Sequence, residues 1–355
     1  MKKIRVLVVD DSIFMINLIT DILKDSGVIE IIGTASDGKE AVEKAKSLSP
    51  DVMTMDIEMP KKNGLDALKE IMQVNPLPII MLSFLTERGA DVTIQALQYG
   101  AFDFVTKPSN IKSENIIEIK NDIIDKVLLA YSQREKWITQ WNKIGKIVEK
   151  KNYYFDNKSD SIEGIVAIGI STGGPKALQE VIPGIPKHFP YSILIVQHMP
   201  AGFTNSLANR LDSISQIRVV EAKDGQELEK GTAYLAPGNF HMTVVKNSIK
   251  YQIKLDQNEH VGGLRPSVDV LYKSLKDIKL DKIFVVMTGM GSDGTKGLLE
   301  AKNEKKDLVI AEDEKSCIVF GMPKSAIQSG LVDEIILLNE ISDFIVNNVK
   351  KKRGC

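Results

Sequence analysis

Three carboxylates follow two apolar runs in the first third of the chain. Asp10 and Asp11 come directly after Ile4–Val9, and Asp56 comes directly after Val52–Met55. Carboxylates that meet at one edge of a sheet repel one another unless a cation joins them. Oxygen ligands suit a hard divalent ion, Mg²⁺ above all. With such an ion bound, one carboxylate can act as a nucleophile toward phosphorus.

A serine and a lysine follow the next two apolar runs. Ser83 comes after Ile79–Leu82, and Lys107 comes shortly after Phe102–Val105. They would supply a hydroxyl and a cation for phosphoryl oxygens at the same sheet edge. Acidic residues after strands are often helix caps or turn formers, and for Asp11 alone that interpretation is the stronger one. The full set, after runs one, three, four and five, favours a phosphoryl-transfer site.

The second half of the chain has a serine, a histidine and an aspartate at the ends of strand-like runs. These are Ser171 after Gly164–Ile170, His198 after Ser192–Gln197 and Asp293 beyond Ile283–Thr288. One sheet edge can therefore gather all three, and triads are defined by geometry and roles rather than by chain order. Ser171 would be the nucleophile, His198 its base and Asp293 the group that orients the imidazole.

The segment around Ser171 also suits a developing oxyanion. Pro175 is a good first helical residue, and the glycine pair before it allows a tight turn. Ser171 therefore stands between a strand end and a helix N-terminus, where backbone N–H groups can hold negative charge. The candidate donors lie near Thr172 and Met290.

Other interpretations of these residues exist. Residues 169–173 match G-x-S-x-G, and a lipase-like order would need a late histidine such as His241 or His260. Neither follows a clear buried run, whereas His198 does. Taken singly, the serine is a typical cap, the histidine a typical structural residue and the aspartate a typical turn residue. Their joint placement favours catalysis.

The elements that must position the first group alternate between apolar runs and amphipathic stretches. The helix-like stretches are 12–26, 38–48, 64–74, 86–98 and 111–130, and the one further apolar run is Ile29–Thr34. Continuous Val, Ile and Met runs are typical of strands buried on both faces, and their alternation with helices predicts a parallel sheet. Residues 1–125 are therefore predicted to form a five-stranded, doubly wound α/β domain of the flavodoxin-like kind.

The same alternation returns over residues 164–348. Further strand-like runs are Ile217–Val220, Ala233–Ala236, Thr243–Lys246, Ile249–Ile253, Leu308–Ala311 and Glu334–Leu337, and helices are expected to begin near Pro175, Ala201, Val268, Gly294, Pro323 and Asn339. The runs on either side of Asn247-Ser248 predict a small antiparallel element inside a mostly parallel, doubly wound sheet. Residues 126–163 are expected to extend the last helix and then form an exposed linker, although an ordinary surface helix suits 126–150 equally well.

Composition restricts the class of protein. The 355 residues suffice for two domains, and 43% hydrophobic with 26% charged residues is typical of a soluble globular chain. The net charge of −1 does not favour nucleic acid or an anionic membrane as a partner. Cys317 and Cys355 form no metal or redox motif, which favours the reducing cytoplasm. The run Ile4–Val9 is too short for a signal peptide or a membrane span.

Residues 3–125 resemble the receiver domain of two-component response regulators. The resemblance rests on the order and strand placement of Asp10-Asp11, Asp56, Ser83 and Lys107-Pro108. It implies that Asp56 accepts a phosphoryl group and that Mg²⁺ is required. The implied metal ligands are Asp11 and Asp56 directly, Asp10 through water, and the backbone carbonyl of Glu58. It further implies that Ser83 follows the phosphoryl group, that Phe104 is an aromatic switch, and that the Lys107–Pro108 bond is cis.

Residues 164–348 resemble the catalytic domain of the chemotaxis protein-glutamate methylesterases, the CheB family. The matching segments are Gly169–Pro175, Gln197–Pro200, Ala236–Met242, Arg265–Asp269 and Thr288–Gly294. Where Ile170 stands, the family commonly has a serine. The resemblance implies hydrolysis of glutamate γ-methyl esters on the cytoplasmic helices of chemoreceptors, with deamidation of receptor glutamines in some members. The chemotaxis histidine kinase would be the phosphodonor, and the esterase reaction would need no cofactor.

A receiver ahead of a hydrolase predicts control by phosphorylation, with the unphosphorylated receiver blocking the esterase cleft. Two other interpretations compete with that of a regulated methylesterase. In the first, the second half is a non-catalytic adaptor that only docks to receptors, which the intact Ser171, His198 and Asp293 argue against. In the second, the second half binds DNA, which the lack of a basic patch and of a helix-turn-helix pattern argues against.

Overall fold

The computed structural model describes residues 3–107, 113–141, 153, 155, 161–247, 250–302 and 307–353, without the side chains of 113–118 and 140. The chain divides into two compact units, residues 1–146 and 147–355, and each is described here by itself. The Lys107–Pro108 bond, Cys355 and most of the predicted linker lie outside the described residues.

The first unit alternates five strands with helices. The strands are β1 Ile4–Val9, β2 Ile29–Ala35, β3 Val52–Asp56, β4 Ile79–Phe84 and β5 Asp103–Lys107. The helices are α1 Ile13–Lys24, α2 Gly38–Leu48, α3 Gly64–Val74, α4 Glu87–Gln98, α5 Ser113–Ser132 and α6 Arg134–Trp141. Side chains of Ser12, Asp37, Asn63 and Thr86 cap the first four helices, which is why each begins where it does.

The sheet of the first unit has the order β2-β1-β3-β4-β5, and every pair is parallel. The predicted five-stranded, doubly wound fold is therefore confirmed. The strand order changes direction between β1 and β3, and such a switch point leaves a crevice beyond the carboxyl ends of the strands. Asp10 directly follows β1 and Asp56 ends β3, so both acidic residues stand at this crevice.

Helix α6 packs against the rest of the first unit. The Trp137 ring lies 6.4 Å from the Phe102 ring, and the Trp141 ring stacks on Trp137 at 6.1 Å. The Trp141 indole nitrogen also lies 3.4 Å from the carbonyl oxygen of Met72. The helical part that follows residue 125 is thus attached to this unit through residue 141, while the extent of the linker stays a prediction.

The described part of the second unit contains seven strands in one main sheet and two strands in a separate pair. The strands are β6 Gly164–Ile170, β7 Tyr191–Gln197, β8 Arg218–Glu221, β9 Thr232–Leu235, β10 His241–Asn247, β11 Lys250–Asp256, β12 Asp281–Val286, β13 Leu308–Glu312 and β14 Glu334–Ile336. The helices are α7 Gly174–Val181, α8 Phe203–Ile214, α9 Val268–Ser274, α10 Thr295–Ala301, α11 Met322–Gln328 and α12 Leu338–Arg353. A short 3-10 helix covers Ile182–Gly184.

Seven strands form a parallel sheet with the order β14-β13-β12-β6-β7-β9-β8. The predicted antiparallel pair is present, but β10 and β11 form a separate two-stranded sheet rather than part of the main one. The reason is that β10 buries Met242 and Val244 beside helix α9, where the Val244 N–H donates to Ser274 Oγ at 3.1 Å. No helix among the described residues is long and apolar enough to cross a bilayer.

The switch point of this sheet lies between β6 and β12, because strand order proceeds in opposite directions from these two neighbours. Ser171 directly follows β6, His198 directly follows β7, and the loop after β12 carries Asp293. The fold thus brings the three sequence positions to one edge, as expected for ligand-binding residues of an open α/β sheet.

Candidate phosphoacceptor and hydrolase sites

The acidic pocket of the first unit is organised around a buried lysine. The Nζ atom of Lys107 lies 2.6 Å from Asp10 Oδ2 and 2.8 Å from Asp56 Oδ1. All three side chains are buried, and the Ile57 N–H also donates to Asp56 Oδ1 at 2.8 Å. Burial raises the pKa of the Asp56 carboxyl to about 6, although the charge and hydrogen bond of Lys107 act in the opposite direction.

The pocket has the composition of a magnesium site. Asp10, Asp11 and Asp56 each present a carboxylate oxygen, and these atoms lie within 4.8 Å of one another. Lys107 contacts the two buried carboxylates, and the exposed Asp11 carboxylate lies beside them, so a divalent cation would relieve the repulsion among the three. The three residues therefore fit Mg²⁺. The exposed Glu58 follows Ile57, and the ligand role of its carbonyl stays a prediction.

The two remaining receiver residues, Ser83 near the end of β4 and Phe104 in the first half of β5, are both buried. Ser83 Oγ lies 3.3 Å from the carbonyl oxygens of Phe84 and Gly89, so its hydroxyl is directed at the start of α4. Phe104 is 4% exposed, and the Nζ atom of Lys126 lies 5.3 Å from its ring centroid. Their roles in following a phosphoryl group stay predictions.

In the second unit, His198 and Asp293 are in direct contact. His198 Nε2 lies 2.8 Å from Asp293 Oδ2, and both residues are at least nine-tenths buried at the side chain. The Asp293 carboxylate also accepts hydrogen bonds from Ser267 Oγ at 2.8 Å, Val268 N at 2.7 Å and Asp269 N at 2.9 Å. Burial raises the pKa of this carboxyl, but the contact with His198 and the backbone donors outweigh it and hold the pKa below its ordinary value.

The segment Arg265–Asp269 thereby acquires a structural role that sequence analysis missed. Besides the donors to Asp293, the Asp269 side chain accepts from the Gly294 N–H at 2.8 Å and the Gly297 N–H at 2.7 Å. The start of α9 and the loop that carries the acid are therefore bound to each other in both directions. The match of Arg265–Asp269 to the family was visible in the sequence, but the spacing of these residues did not reveal that they bind Asp293.

The turn between β6 and α7, residues 171–173, is called the serine turn here. It has the tight geometry that the glycines indicated in the sequence. Gly173 has φ of 80°, a left-handed conformation that favours glycine. The His198 N–H donates to the Ile170 carbonyl at 3.2 Å, so the serine turn and the base are adjacent at the backbone. Ile170, where the family commonly has serine, is fully buried at the end of β6. Gly289 passes so close that a Cβ there would lie 2.7 Å from Ser171 Cβ.

Two backbone N–H groups beside Ser171 are available to a ligand. The Ser171 N–H itself is taken by the Thr288 carbonyl at 2.9 Å. Within the part of the chain that the structure describes, the N–H groups of Thr172 and Met290 have no hydrogen-bond acceptor. They remain our candidate oxyanion donors. Among the described residues, no hydrogen bond joins Ser171 Oγ to His198, so the direct contact within the predicted triad is the one between His198 and Asp293.

A buried carboxyl group beneath the serine turn was also missed. Glu312 is fully buried at the end of β13, and its Oε2 accepts from the Thr288 N–H at 2.9 Å. Burial raises the pKa of Glu312 to about 7. The sequence signal was present, since an acidic residue directly follows the apolar run Leu308–Ala311 in the same way as Asp56 follows its run.

His241 and Arg265, which lie in two of the matching segments, contact a neighbouring loop and form no hydrogen bond with His198 or Asp293 in the described structure. His241 Nε2 lies 3.0 Å from the Glu259 carbonyl, and Arg265 binds Asn239 Oδ1 and two carbonyls of that loop. The alternative in which His241 is the catalytic histidine receives no support from these contacts.

A phosphoacceptor pocket on a receiver sheet, joined to a hydrolase-type serine site on a second parallel sheet, defines a response regulator with an enzymatic output domain. Comparison with known families agrees: residues 6–119 match the response regulator receiver domain and residues 166–345 match the CheB methylesterase domain. The chain belongs to the CheB methylesterase family.

Curated relatives are similar over nearly the whole chain. A protein-glutamate methylesterase/protein-glutamine glutaminase of Bacillus subtilis is 45% identical over 99% of both chains. One of Pyrococcus horikoshii is 44% identical over 99% of this chain and 95% of its own. Among solved structures, the Thermotoga maritima CheB methylesterase catalytic domain is 45% identical, with a TM-score of 0.50, covering 52% of this chain and 97% of its own.

Proposed function

We propose that this chain hydrolyses glutamate γ-methyl esters on methyl-accepting chemotaxis receptors and releases methanol, under control of phosphorylation at Asp56. The observation that best supports this proposal is the 2.8 Å contact between His198 and Asp293. This contact lies at the switch point of the main sheet, next to the turn that contains Ser171. The names of the full-length relatives support the substrate class and add a glutaminase activity, which we propose here as well.

The order of events follows from which ring nitrogen is engaged. Because His198 Nε2 is bound to Asp293, its Nδ1 is the atom left for the hydroxyl of Ser171. His198 takes the Ser171 proton as Oγ attacks the ester carbonyl, and Asp293 stabilises the resulting imidazolium. The N–H groups of Thr172 and Met290 would receive the tetrahedral oxygen.

Collapse of this intermediate breaks the bond between the carbonyl carbon and the methoxy oxygen. His198 returns its proton to the leaving group, which departs as methanol and leaves a glutamyl ester on Ser171. Water then attacks that ester with His198 again as base, giving glutamate and free Ser171. A glutamine side chain would follow the same course, with ammonia as the leaving group.

For the first unit, we propose that Asp56 accepts a phosphoryl group from the chemotaxis histidine kinase. Asp10, Asp11, Asp56 and the Glu58 carbonyl are the groups that would hold Mg²⁺, and the ion would supply positive charge for the phosphoryl oxygens. Lys107 is placed to contact the same group, since it already lies 2.8 Å from Asp56. We assign residues 1–125 to this receiver function, 164–348 to catalysis and the segment between them to the connection.

We propose a cytoplasmic location, because the receptor helices that we propose as substrates are cytoplasmic and the buried Cys317 thiol suits a reducing compartment. We infer no nucleic-acid partner and no insertion into the membrane.

The test is methanol release from methylated receptor membranes, with and without a small-molecule phosphodonor and Mg²⁺. We expect release to rise with the phosphodonor, to lose that response in Asp56→Asn and to vanish in Ser171→Ala. Labelling by a fluorophosphonate should disappear in Ser171→Ala as well. A folded Ser171→Ala protein that still released methanol would exclude the serine mechanism, and a wild-type chain that bound receptors without releasing methanol would favour the adaptor.

A further inference from the structure

Gln197 connects the backbone of Ser171 to the backbone of His198 through one buried amide group. The residue is 2% exposed and ends β7. Its Nε2 lies 3.0 Å from the Ser171 carbonyl oxygen and 3.2 Å from the His198 carbonyl oxygen, so it donates to both. If the oxygen and nitrogen of the Gln197 amide were exchanged, the amide oxygen would face two carbonyl oxygens and no donor. The exchanged orientation is therefore excluded.

The contact with Ser171 determines the direction of a candidate oxyanion donor. The Ser171 carbonyl and the Thr172 N–H belong to one peptide group, and in a trans peptide they point in opposite directions. The carbonyl is held inward by Gln197 Nε2 and by the Gly174 N–H at 2.8 Å. The Thr172 N–H must therefore point away from Gln197, to the side where it has no acceptor among the described residues.

The surroundings of Gln197 are built to admit this amide. An added Cβ on Gly174 would lie 1.9 Å from Gln197 Oε1, so only glycine leaves room for it. Within the described residues Oε1 is itself buried without a hydrogen-bond partner. An unpaired buried amide oxygen costs free energy. A side chain selected for packing alone would avoid that cost, and an apolar residue of similar size would fit the same space.

We propose that Gln197 is a positioning residue, which fixes the Ser171–Thr172 peptide as an oxyanion donor and holds the adjacent His198 backbone. This inference rests on the proposed serine mechanism and adds a residue to it. Gln197 touches no reacting atom; it acts through the orientation of Thr172 and His198. Preorganised donors contribute to the transition state rather than to ground-state binding, so the effect belongs in kcat.

The test compares Gln197→Glu with Gln179→Glu in the full-length protein. The first change places a carboxylate against two carbonyls, whereas Gln179 makes a similar amide contact, 3.0 Å from the Pro175 carbonyl, away from the serine turn. We expect kcat for methanol release to fall about 10- to 100-fold in Gln197→Glu, less than the loss of a whole oxyanion donor. KM should change less than about twofold, and Gln179→Glu should stay within about twofold in both.

Gln197→Met serves if the glutamate variant fails to fold, since it keeps the length of the side chain and removes the donor. It should show the same fall in kcat and a matching fall in the rate of fluorophosphonate labelling. Wild-type kcat in either folded variant, or a change confined to KM, would overturn the inference. If Ser171→Ala remained active, the proposed mechanism itself would fail; if Ser171→Ala were inactive and Gln197→Glu normal, only the role of Gln197 would fail.

Discussion

Replacing Asp56 with asparagine is expected to stabilise the first unit at neutral and alkaline pH. Burial of this carboxyl, which is 3% exposed, raises its pKa from 3.8 to about 6 despite the opposing effect of Lys107. At about 1.4 kcal/mol for each tenfold change in acidity, this corresponds to about 3 kcal/mol of folding free energy. Asparagine removes that cost, and we expect a gain of about 1 to 3 kcal/mol.

The contacts around Asp56 allow this exchange. An asparagine oxygen can still accept the Ile57 N–H, which now donates to Asp56 Oδ1 at 2.8 Å. Lys107 keeps Asp10 at 2.6 Å, so the buried cation is not left without a partner. The change therefore removes one of two negative charges from around one positive charge.

The pH dependence of the gain has a definite sign. Because the folded-state pKa of Asp56 is raised, the folded protein binds more protons than the unfolded chain between about pH 4 and 6. Wild-type stability relative to the variant therefore declines as pH rises through that window. The two proteins should be about equally stable near pH 4, and the gap should reach its full size above about pH 6.

The assay is urea unfolding followed by tryptophan fluorescence in buffer without divalent ions. Both tryptophans of the chain, Trp137 and Trp141, lie in α6 and pack on the first unit, so their emission reports that unit within the full-length protein. Asp91→Asn, at an exposed position of α4, is the matched control and should change stability by less than about 0.5 kcal/mol.

Two results would refute this reasoning. One is an Asp56→Asn protein that is no more stable than wild type at pH 8, and the other is a gap that does not depend on pH. Adding Mg²⁺ gives a further check, because an ion that binds the folded wild-type pocket stabilises it by about 2.7 kcal/mol at 100 times its dissociation constant. The ion should stabilise the Asp56→Asn variant less than the wild type, so the difference in unfolding free energy between the two proteins should become smaller.

Three further predictions concern the second unit. Asp293→Asn should lower kcat for methanol release by about 10⁴-fold, because the neutral amide no longer holds the imidazole in the required form; a loss below tenfold would contradict the triad. Thr288→Val removes the hydroxyl that donates to the Thr172 carbonyl at 2.9 Å. It should lower the free energy of unfolding by about 1 to 3 kcal/mol in urea titrations, while Thr288→Ser should retain most of it; equal losses would deny the hydroxyl a role. Gly174→Ala should cost about 1 to 3 kcal/mol of stability through its clash with Gln197 Oε1, and a neutral result in thermal unfolding would show that the amide can move aside.

Sequence analysis located the strand ends well, because a strand buried on both faces is an uninterrupted apolar run. Asp56, Ser171 and His198 were each assigned to the end of such a run, and the structure places them there. The rule that parallel strands present ligand-binding residues at their carboxyl ends then supplied the common edge. Sequence analysis could not predict that β10 and β11 form a separate sheet. The pattern of apolar residues in a strand shows that one face is buried, but it does not show which element covers that face.

Only the tertiary structure revealed how the site is supported. Ser267 and Asp293 are 26 positions apart, and Gln197 and Ser171 are also 26 apart, yet each pair shares a hydrogen bond. Local pattern determines which residues form a strand or a turn. It therefore determined the fold class and the strand ends beside which the proposed phosphoacceptor and the proposed catalytic serine, histidine and aspartate lie. Which carbonyl a buried amide meets, and whether Glu312 lies beneath the serine turn, depends on how strands distant in sequence are ordered and aligned. That arrangement is decided by the packing of the whole sheet.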